Sequence, residues 1–527
     1  MSSENQFKLT YATMFNPPEE LHTRFDAALQ KVKASLGKEH AMFIDGKEVF
    51  AKEKFENRNP ANTDEVLGIF QKGDKDDALA ATAAAKRAFP GWSRTPWQER
   101  VAIVRKAAAL MDERTFEMGA VVSLEVGKNR MEALGDVAET ADLLRYSCDR
   151  MEATNGLVTQ MGSDPMTGFT STNTSVMRPH GVWLVISPFN FPAALTGGPA
   201  GAALVTGNTL VLKPATDTPW TARLITDCLH DAGAPAGVVN FVSGGGSTIG
   251  QALIDSPDVA GVTFTGSFGV GMKIYADFGS GRWVRPTVLE LGGKNPVIVS
   301  RNADLELAAT GIIRSAFGLQ GQKCSAASRV IIEAPVYDQL VARLVEMTEK
   351  LVIGDPTLRT VYNGPVANKS SYKDYQDFIA DIKASGKILT GGKILTEGEF
   401  AKGFFCANTL AELPFDHKLW KQEMFVPITT LGKVDSLDQA MTIANDVDYG
   451  LTGGFYGTEA EVDWFFDNIE CGVAYTNRAQ GATTGAWPGF QPFGGWKGSG
   501  SSGKNAGGVH YIQLYTREQI QVRVKKN

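Results

Sequence analysis

Between residues 181 and 290, short apolar runs alternate with helical stretches. That alternation narrows the possible folds of the 527-residue chain more than any other feature. The runs are Val182 to Ile186, Thr209 to Leu212, Val238 to Val242 and Gly261 to Phe264, and helical stretches near 196–206, 218–232 and 247–254 separate them. A strand that is apolar at nearly every position has both faces buried, the mark of a parallel sheet covered by helices on either side. Open sheets of this kind bind nucleotides beyond the carboxyl ends of their strands. A second series begins near 291. Strands are expected over 296–299, 329–332, 425–433 and 452–456, with helices over 304–317, 335–351 and 372–385.

The flanks are read from local signals. A polar helix covers about Glu19 to Gly37, and Met42 to Phe50 reads as a hairpin through an Asp45-Gly46 turn. Helices follow over 76–89, 97–118, 120–126 and 130–154, the last carrying Glu132, Asp136 and Glu139 on what reads as a solvated face. Thr159 to Pro179, rich in Ser and Thr, reads as a β-arm. In the tail, Ile512, Leu514, Ile520, Val522 and Val524 alternate and predict a strand that pairs with this arm or with a partner subunit.

Net charge is −6, which argues against nucleic acid as a partner. Five cysteines without metal-like spacing exclude a disulfide framework and fit a reducing cytoplasm. The first six residues lack the apolar core of a secretory signal. The apolar run from Gly181 to Ala215 is broken by Pro188, Pro192 and Pro199, so it is expected to be buried strand and helix rather than a membrane span.

Several residues are placed for chemistry. Cys324 lies among small and polar residues with Lys323 and Arg329 on either side. An electropositive, partly open setting lowers a thiol's pKa and exposes a nucleophilic thiolate, although the window alone fits an idle loop cysteine equally well. Cys148, Cys228, Cys406 and Cys471 fall in helical patterns or beside apolar runs and read as structural. Glu290, between Leu289 and Leu291 and before Gly292-Gly293, is either a desolvated general base or an acid on an exposed edge. Asn190, between two phenylalanines and two prolines, is a turn residue or an amide held to donate to an oxyanion. Lys213 ends a buried strand, where ligands bind in such sheets, or snorkels to the surface. The glycine clusters at 243–250 and 264–271 let backbone N–H groups approach a phosphate or serve as plain turns, and neither carries the standard dinucleotide fingerprint.

Together these motifs resemble the aldehyde dehydrogenase superfamily. They are Pro-Phe-Asn-Phe-Pro at Asn190, Lys-Pro-Ala at Lys213, Phe-Thr-Gly-Ser at 264–267, Glu-Leu-Gly-Gly-Lys at Glu290 and Gly-Gln-Lys-Cys at Cys324. Glu423-Met424-Phe425 with Pro427, and Pro492-Phe493-Gly494-Gly495, follow in the same order. The resemblance implies an α/β fold with two parallel-sheet domains: a Rossmann-like cofactor domain (1–156 and 181–290) and a catalytic domain (291–485). A small β oligomerisation arm (157–180 and 486–527) is also implied, and with it a homodimer or higher homo-oligomer. By this resemblance Cys324 attacks the aldehyde carbon, while the Asn190 amide and the Cys324 N–H hold the oxyanion. Oxidation leaves a thioester, and Glu290 activates the water that releases the acid. The implied contacts to NAD or NADP are Ser187, Pro188, Phe189, Lys213, Thr216, Gly246, Gly266, Ser267, Leu291, Gly292, Glu423 and Phe425, with no metal. NAD-preferring relatives often carry an acid three residues after the lysine. Thr216 would not repel a 2′-phosphate, so NADP is expected to be tolerated. Val426 stands where a glycine is usual.

Within the superfamily, Gly321 to Arg329, Thr484 to Gly495 and Ala506 to Tyr511 are most similar to the Δ1-pyrroline-5-carboxylate dehydrogenase family, which oxidises L-glutamate γ-semialdehyde to L-glutamate in proline catabolism. That similarity implies that Ser325 and the backbone of Gly485 and Ala486 anchor the substrate's α-carboxylate. It implies further that Glu139 meets the amine and that Phe189 and Phe493 lie beside the substrate. Trp487-Pro488 replaces small aliphatic residues in the anchor loop. A broad-specificity, aromatic or other ω-semialdehyde dehydrogenase with Trp487 as a pocket wall therefore stays open, as does a catalytically silent member of the family.

Overall fold

Two seven-stranded sheets organise the chain, of which the computed structural model describes residues 17–482 and 487–527. The first sheet runs Thr287–Glu290, Val259–Thr265, Val182–Ile186, Thr209–Lys213 and Val239–Phe241, all parallel. The hairpin Met42–Ile44 and Lys47–Val49 extends it antiparallel at one edge. Successive residues of a strand point to opposite faces. Trp183 and Val185 accordingly enter one core with Leu210, Leu212 and Val239. Val182 and Leu184 enter another with Val211, Val262 and Phe264. Burial on both faces is why these runs are apolar throughout rather than alternating.

The second sheet is ordered Lys387–Thr390, Thr409–Glu412, Ile428–Val434, Ala327–Glu333, Asn295–Val299, Thr452–Tyr456 and Val473–Thr476. It is parallel except at its first edge strand. Ile298, Ile331 and Phe455 fill one side, and Val297, Val299, Val330 and Ile332 the other.

Against one face of the first sheet packs a helical layer of Trp97–Glu113, Thr115–Val126, Arg130–Ala153 and Ala194–Val205, while Lys75–Arg94 lays Ala78, Ala81, Ala84 and Ala85 on the other face. The long helix Arg130–Ala153 starts where the Asn129 side chain accepts the Glu132 N–H at 3.0 Å, satisfying one of the otherwise unpaired first-turn donors. Its acids do not form a solvated face. Asp136 is fully buried in an ion pair with Lys128 at 3.0 Å, and Glu132 pairs with Lys323 at 2.7 Å. A helical face reads as solvated only when its charges lack partners across the fold, and these have them.

The arm Phe169–Pro179 pairs antiparallel with Val158–Gln160 and, over eleven residues, with the tail strand Thr516–Lys526 of the same chain. The tail strand begins only at Thr516. Tyr511–Tyr515 forms a 3-10 turn, with Tyr511, Ile512 and Tyr515 buried against the helical core. Their spacing of one and three is helical, and the alternation expected from Ile512 holds only beyond it. Among the described residues no helix is long and apolar enough to cross a membrane.

Candidate active site

The parallel register brings the strand ends of the first sheet to one edge. Ile186 pairs with both Lys213 and Phe264, and Thr265 pairs with Glu290. Past those ends, Ser187 N donates to Lys213 O at 3.2 Å and Gly266 N to Glu290 O at 3.1 Å. Ser187, Lys213, Gly266 and Glu290 thus share the carboxyl edge, where an open sheet presents its ligand site.

Cys324 reaches this edge from the second sheet. Helix Leu305–Phe317 ends in a turn in which Leu319 (φ 48°) and Gln320 (φ 54°) both adopt left-handed backbone, an uncommon state for non-glycine residues that surrounding contacts must hold. Gln320 Nε2 donates to Gly127 O at 2.9 Å, and Gln322 Oε1 accepts from Ala367 N at 3.0 Å. Asn295 Nδ2 donates to Cys324 O at 2.6 Å and to Ala326 O at 2.9 Å, while its Oδ1 accepts from Thr452 N at 3.0 Å. Cys324 stays partly exposed between buried Lys323 and Ser325.

The electropositive setting expected for this thiol is absent. Lys323 turns its ammonium to Glu132, and Arg329 spends its guanidinium on the Lys294, Ile443 and Ala444 carbonyls at 2.8–3.0 Å. Burial pushes the Cys324 thiol well above its usual pKa, and the Glu423 and Glu290 carboxylates push it further. The opposing influences are the N–H groups of Ser325 and of Cys324 itself. Those donors suit an anion forming next to the sulfur.

Burial likewise raises Glu290 from 4.5 to about 8. Its Oε2 is buried without a hydrogen-bond partner among the described residues. A desolvated carboxyl titrating near neutrality has the properties of a general base. Asn190 is buried, and its Nδ2 donates to Gln322 O, two residues before the cysteine, at 3.0 Å. One amide proton is thereby anchored on the nucleophile's own loop and the second is left to donate elsewhere. The other four cysteines are buried and unbonded to one another, with Cys228 raised to about 11 and Cys148 to about 12 by burial. Inert thiols are expected there.

On the sheet's other side, Lys213 is buried, donates to Pro214 O at 2.9 Å and is pulled down to about 8 by burial against the pull of Asp217. Its remaining donors suit ligand hydroxyls. Thr216 is exposed. Gly246 opens a single π turn, Gly246–Gly250, that runs into helix Gln251–Asp255. Ser267 precedes helix Phe268–Gly279 and makes no side-chain cap, so among the described residues nothing claims the first-turn N–H groups or its hydroxyl. Glu423 caps the Gly292-Gly293 turn, Oε1 accepting from Gly293 N at 2.9 Å. A Cβ at Gly292 would lie 2.3 Å from Glu423 Oε2 and would displace that carboxylate from the turn. Burial raises Glu423 to about 7. Leu291 is buried, its N–H donating to Ser499 O at 2.9 Å. Phe425 (φ 56°) meets Phe189 edge to face with centroids 5.9 Å apart, beside Pro188. This donor and acceptor set, an amine, unspent N–H groups and a carboxylate, fits a ligand with phosphates and ribose hydroxyls.

Of the residues expected to meet a substrate, Ser325 is buried beside Cys324. Glu139 is half-buried on helix Arg130–Ala153, one turn before Leu143, which packs with Phe493, Ala194 and Ala506. Gly485 and Ala486 lie outside the described residues. Trp487 N donates to Gln491 O at 3.0 Å, closing the turn that follows them. Sequence reasoning missed Asn295, Gln320, Gln322, Lys128 and Glu132, all of which hold the loops described above. Their partners lie up to 193 residues away, and no local pattern marks them.

Comparison with known proteins agrees with this geometry. The model of the aldehyde dehydrogenase family matches residues 48–520. The 1-pyrroline-5-carboxylate dehydrogenase of Geobacillus sp. (strain WCH70) is 40% identical over 497 residues, covering 93% of this chain and 94% of that protein. Among solved structures, the Thermus 1-pyrroline-5-carboxylate dehydrogenase with bound NAD superposes with a TM-score of 0.92 at 34% identity, covering 100% of both chains. Proline utilization A from Bdellovibrio bacteriovorus superposes with a TM-score of 0.90 at 35% identity, over 97% of this chain and 52% of that longer one. With a family model spanning most of its length and a relative at this identity, the chain belongs to the aldehyde dehydrogenase family.

Proposed function

We propose that this protein oxidises L-glutamate γ-semialdehyde, the open form of Δ1-pyrroline-5-carboxylate, to L-glutamate, with NAD as acceptor. The observation that carries the reading is the 40% identity to a 1-pyrroline-5-carboxylate dehydrogenase over nearly the whole of both chains. In this account Cys324 Sγ attacks the aldehyde carbon, and the carbonyl oxygen takes up negative charge where the Asn190 amide and the Cys324 N–H can donate to it. The nicotinamide, when bound, supplies the two-electron acceptor that turns the thiohemiacetal into a thioester. Lys213, the Ser267 turn and Glu423 are the residues that would hold the cofactor, by hydroxyl, pyrophosphate and hydroxyl contacts respectively. Glu290 takes a proton from water, which attacks the thioester carbonyl and frees the Cys324 thiolate and the acid. Burial raises the Cys324 thiol as well as the Glu290 carboxyl; the proton that Cys324 loses on attack passes to solvent, so that Glu290 is ionised when it takes a proton from the hydrolytic water.

Ser325, next to the nucleophile, offers a buried hydroxyl to the substrate's α-carboxylate. Thr216, exposed and uncharged, leaves room for NADP as a second acceptor. The arm and tail strands form the surface through which a homodimer or larger assembly would close in the cytoplasm. The test is direct. Incubation with Δ1-pyrroline-5-carboxylate and NAD should yield equal amounts of NADH and L-glutamate, and Cys324→Ala should reduce both to background. NADH formation from simple aldehydes, with no glutamate from pyrroline-5-carboxylate, would overturn the substrate assignment.

A further inference from the structure

Residues 127–136 touch both reacting loops from behind. Glu132 stands at the start of helix Arg130–Ala153. Its Oε1 receives the Lys323 ammonium at 2.7 Å, and its Oε2 accepts the Leu319 N–H at 3.1 Å. Lys323 immediately precedes Cys324, and Leu319 opens the left-handed turn, so one carboxylate grips both ends of the nucleophile's loop. Asn129, which caps the helix, also donates to Glu132 Oε2 at 3.2 Å and to Tyr362 O at 2.9 Å. One turn further on, Asp136 Oδ1 accepts the Ala194 N–H at 2.9 Å and its Oδ2 the Lys128 ammonium at 3.0 Å. Lys128 Nζ in turn lies 3.7 Å from the ring centre of Phe191, the residue after Asn190. Both members of the Lys128–Asp136 pair are fully buried.

We propose that Glu132 and Asp136 are positioning residues that set the distance between the Cys324 thiol and the Asn190 amide by tying both loops to one rigid helix. Among the described residues the two loops otherwise share the hydrogen bond from Asn190 Nδ2 to Gln322 O and the apolar core that takes in Phe191 and Leu319. A helix offers acceptors one turn apart on one face, with little freedom to drift. Glu132 holds the cysteine loop and Asp136 the asparagine loop, so the helix rise fixes their separation. Gly318 belongs to the same device. A Cβ there would lie 2.4 Å from Lys323 Nζ and 3.0 Å from Glu132 Oε1, so a side chain would push the pair apart.

The proposal rests on the reading of Cys324 as nucleophile, and its test separates the two. The parent, Cys324→Ala, Glu132→Ala, Glu132→Gln, Lys323→Met and Lys323→Arg enzymes are compared by steady-state kinetics with pyrroline-5-carboxylate and NAD. The p-nitrophenol burst from p-nitrophenyl acetate, which needs the thiol and its oxyanion donor but no cofactor, is measured alongside. Displacing a reacting group by about an ångström costs on the order of 10²-fold. Glu132→Ala and Lys323→Met are expected to lower kcat and the burst rate together by about 10–100-fold, with KM for NAD within about threefold of the parent. Lys323→Arg restores the pair and is expected to recover most of both rates. If Glu132→Ala and Lys323→Met lower Tm but leave kcat and the burst rate per folded molecule within about threefold, the positioning role is wrong. Should Glu132→Ala fail to fold, Glu132→Gln, which keeps an acceptor for Leu319 N but not the charge, is judged by the same two rates. An active Cys324→Ala enzyme would instead sink the nucleophile reading itself.

Discussion

The two sides of the site are built in opposite ways. Around Cys324 the polar groups that hold the loop are spent on the scaffold. Asn295 takes the Cys324 and Ala326 carbonyls, Gln320 and Gln322 reach to Gly127 and Ala367, and Glu132 takes Lys323 and Leu319. Around the glycine turns the reverse holds. Gly246, Ser267 and the residues after them are exposed, and the Ser267 hydroxyl caps nothing. The difference follows from the work proposed for each side. Covalent chemistry needs a thiol, an amide and a base at fixed separations, so their loops are tied to the scaffold. Phosphate binding needs N–H groups that nothing else has claimed.

Substitutions on the tied side should therefore strike kcat, and those on the open side should move cofactor preference. The largest effect is expected from Glu290→Gln, which should slow thioester hydrolysis by about 10²–10⁴-fold, measured as a burst of NADH followed by a slow steady state. The parent's hydrolysis rate should rise with pH through about 8 as Glu290 loses its proton, and the substitution should remove that rise. Stability gives a second readout of the same group. A carboxyl raised from 4.5 to about 8 contributes its full stabilising share below pH 4.5 and loses it as pH rises through 8. Glu290→Gln should thus gain Tm on the parent at alkaline pH and not in mild acid. Asn190→Ala should lower kcat by about 10²–10³-fold, the usual cost of one oxyanion donor. Equal effects on KM and none on kcat would show that the amide only packs.

Smaller effects belong to substrate and cofactor choice. Ser325→Ala removes one hydrogen bond to a charged group, worth about 10–100-fold in kcat/KM for the semialdehyde. Aldehydes without an α-carboxylate should be spared. Thr216→Asp, on the exposed side, should raise KM for NADP by roughly 3–10-fold through like-charge repulsion in high dielectric and leave NAD nearly unchanged. A large loss of kcat in Thr216→Asp would erase the contrast between the two sides.

How much of this was legible beforehand depended on whether a group's environment lay nearby in the chain. The parallel strands were readable because burial on both faces leaves an unbroken apolar run, as in Val182 to Ile186. Asn190 and Glu290 stood out as polar residues in rigid or apolar surroundings and Cys324 as a thiol among small and polar ones, and the structure places them along one edge and its facing loop. The long hairpin Lys54–Asn59 with Asn62–Gln71 escaped, because its first strand carries three charges, Lys54, Glu56 and Arg58, and only two buried residues. The surroundings of Cys324 were misread for a related reason. Lys323 and Arg329 are adjacent to it in sequence, but their partners, Glu132 and the carbonyls of Lys294, Ile443 and Ala444, come from elsewhere in the fold. Charge in a window does not reveal where the charge points.

Specificity for the semialdehyde is the central claim. Its most direct measurement is the ratio of kcat/KM for L-glutamate γ-semialdehyde to that for a straight-chain aldehyde of similar length without the α-amino and α-carboxylate groups. Anchoring through Ser325 and its neighbours predicts a ratio of about 10² or more, the worth of a charged group held by buried donors. A ratio near one, or a preference for the simple or an aromatic aldehyde, would contradict it.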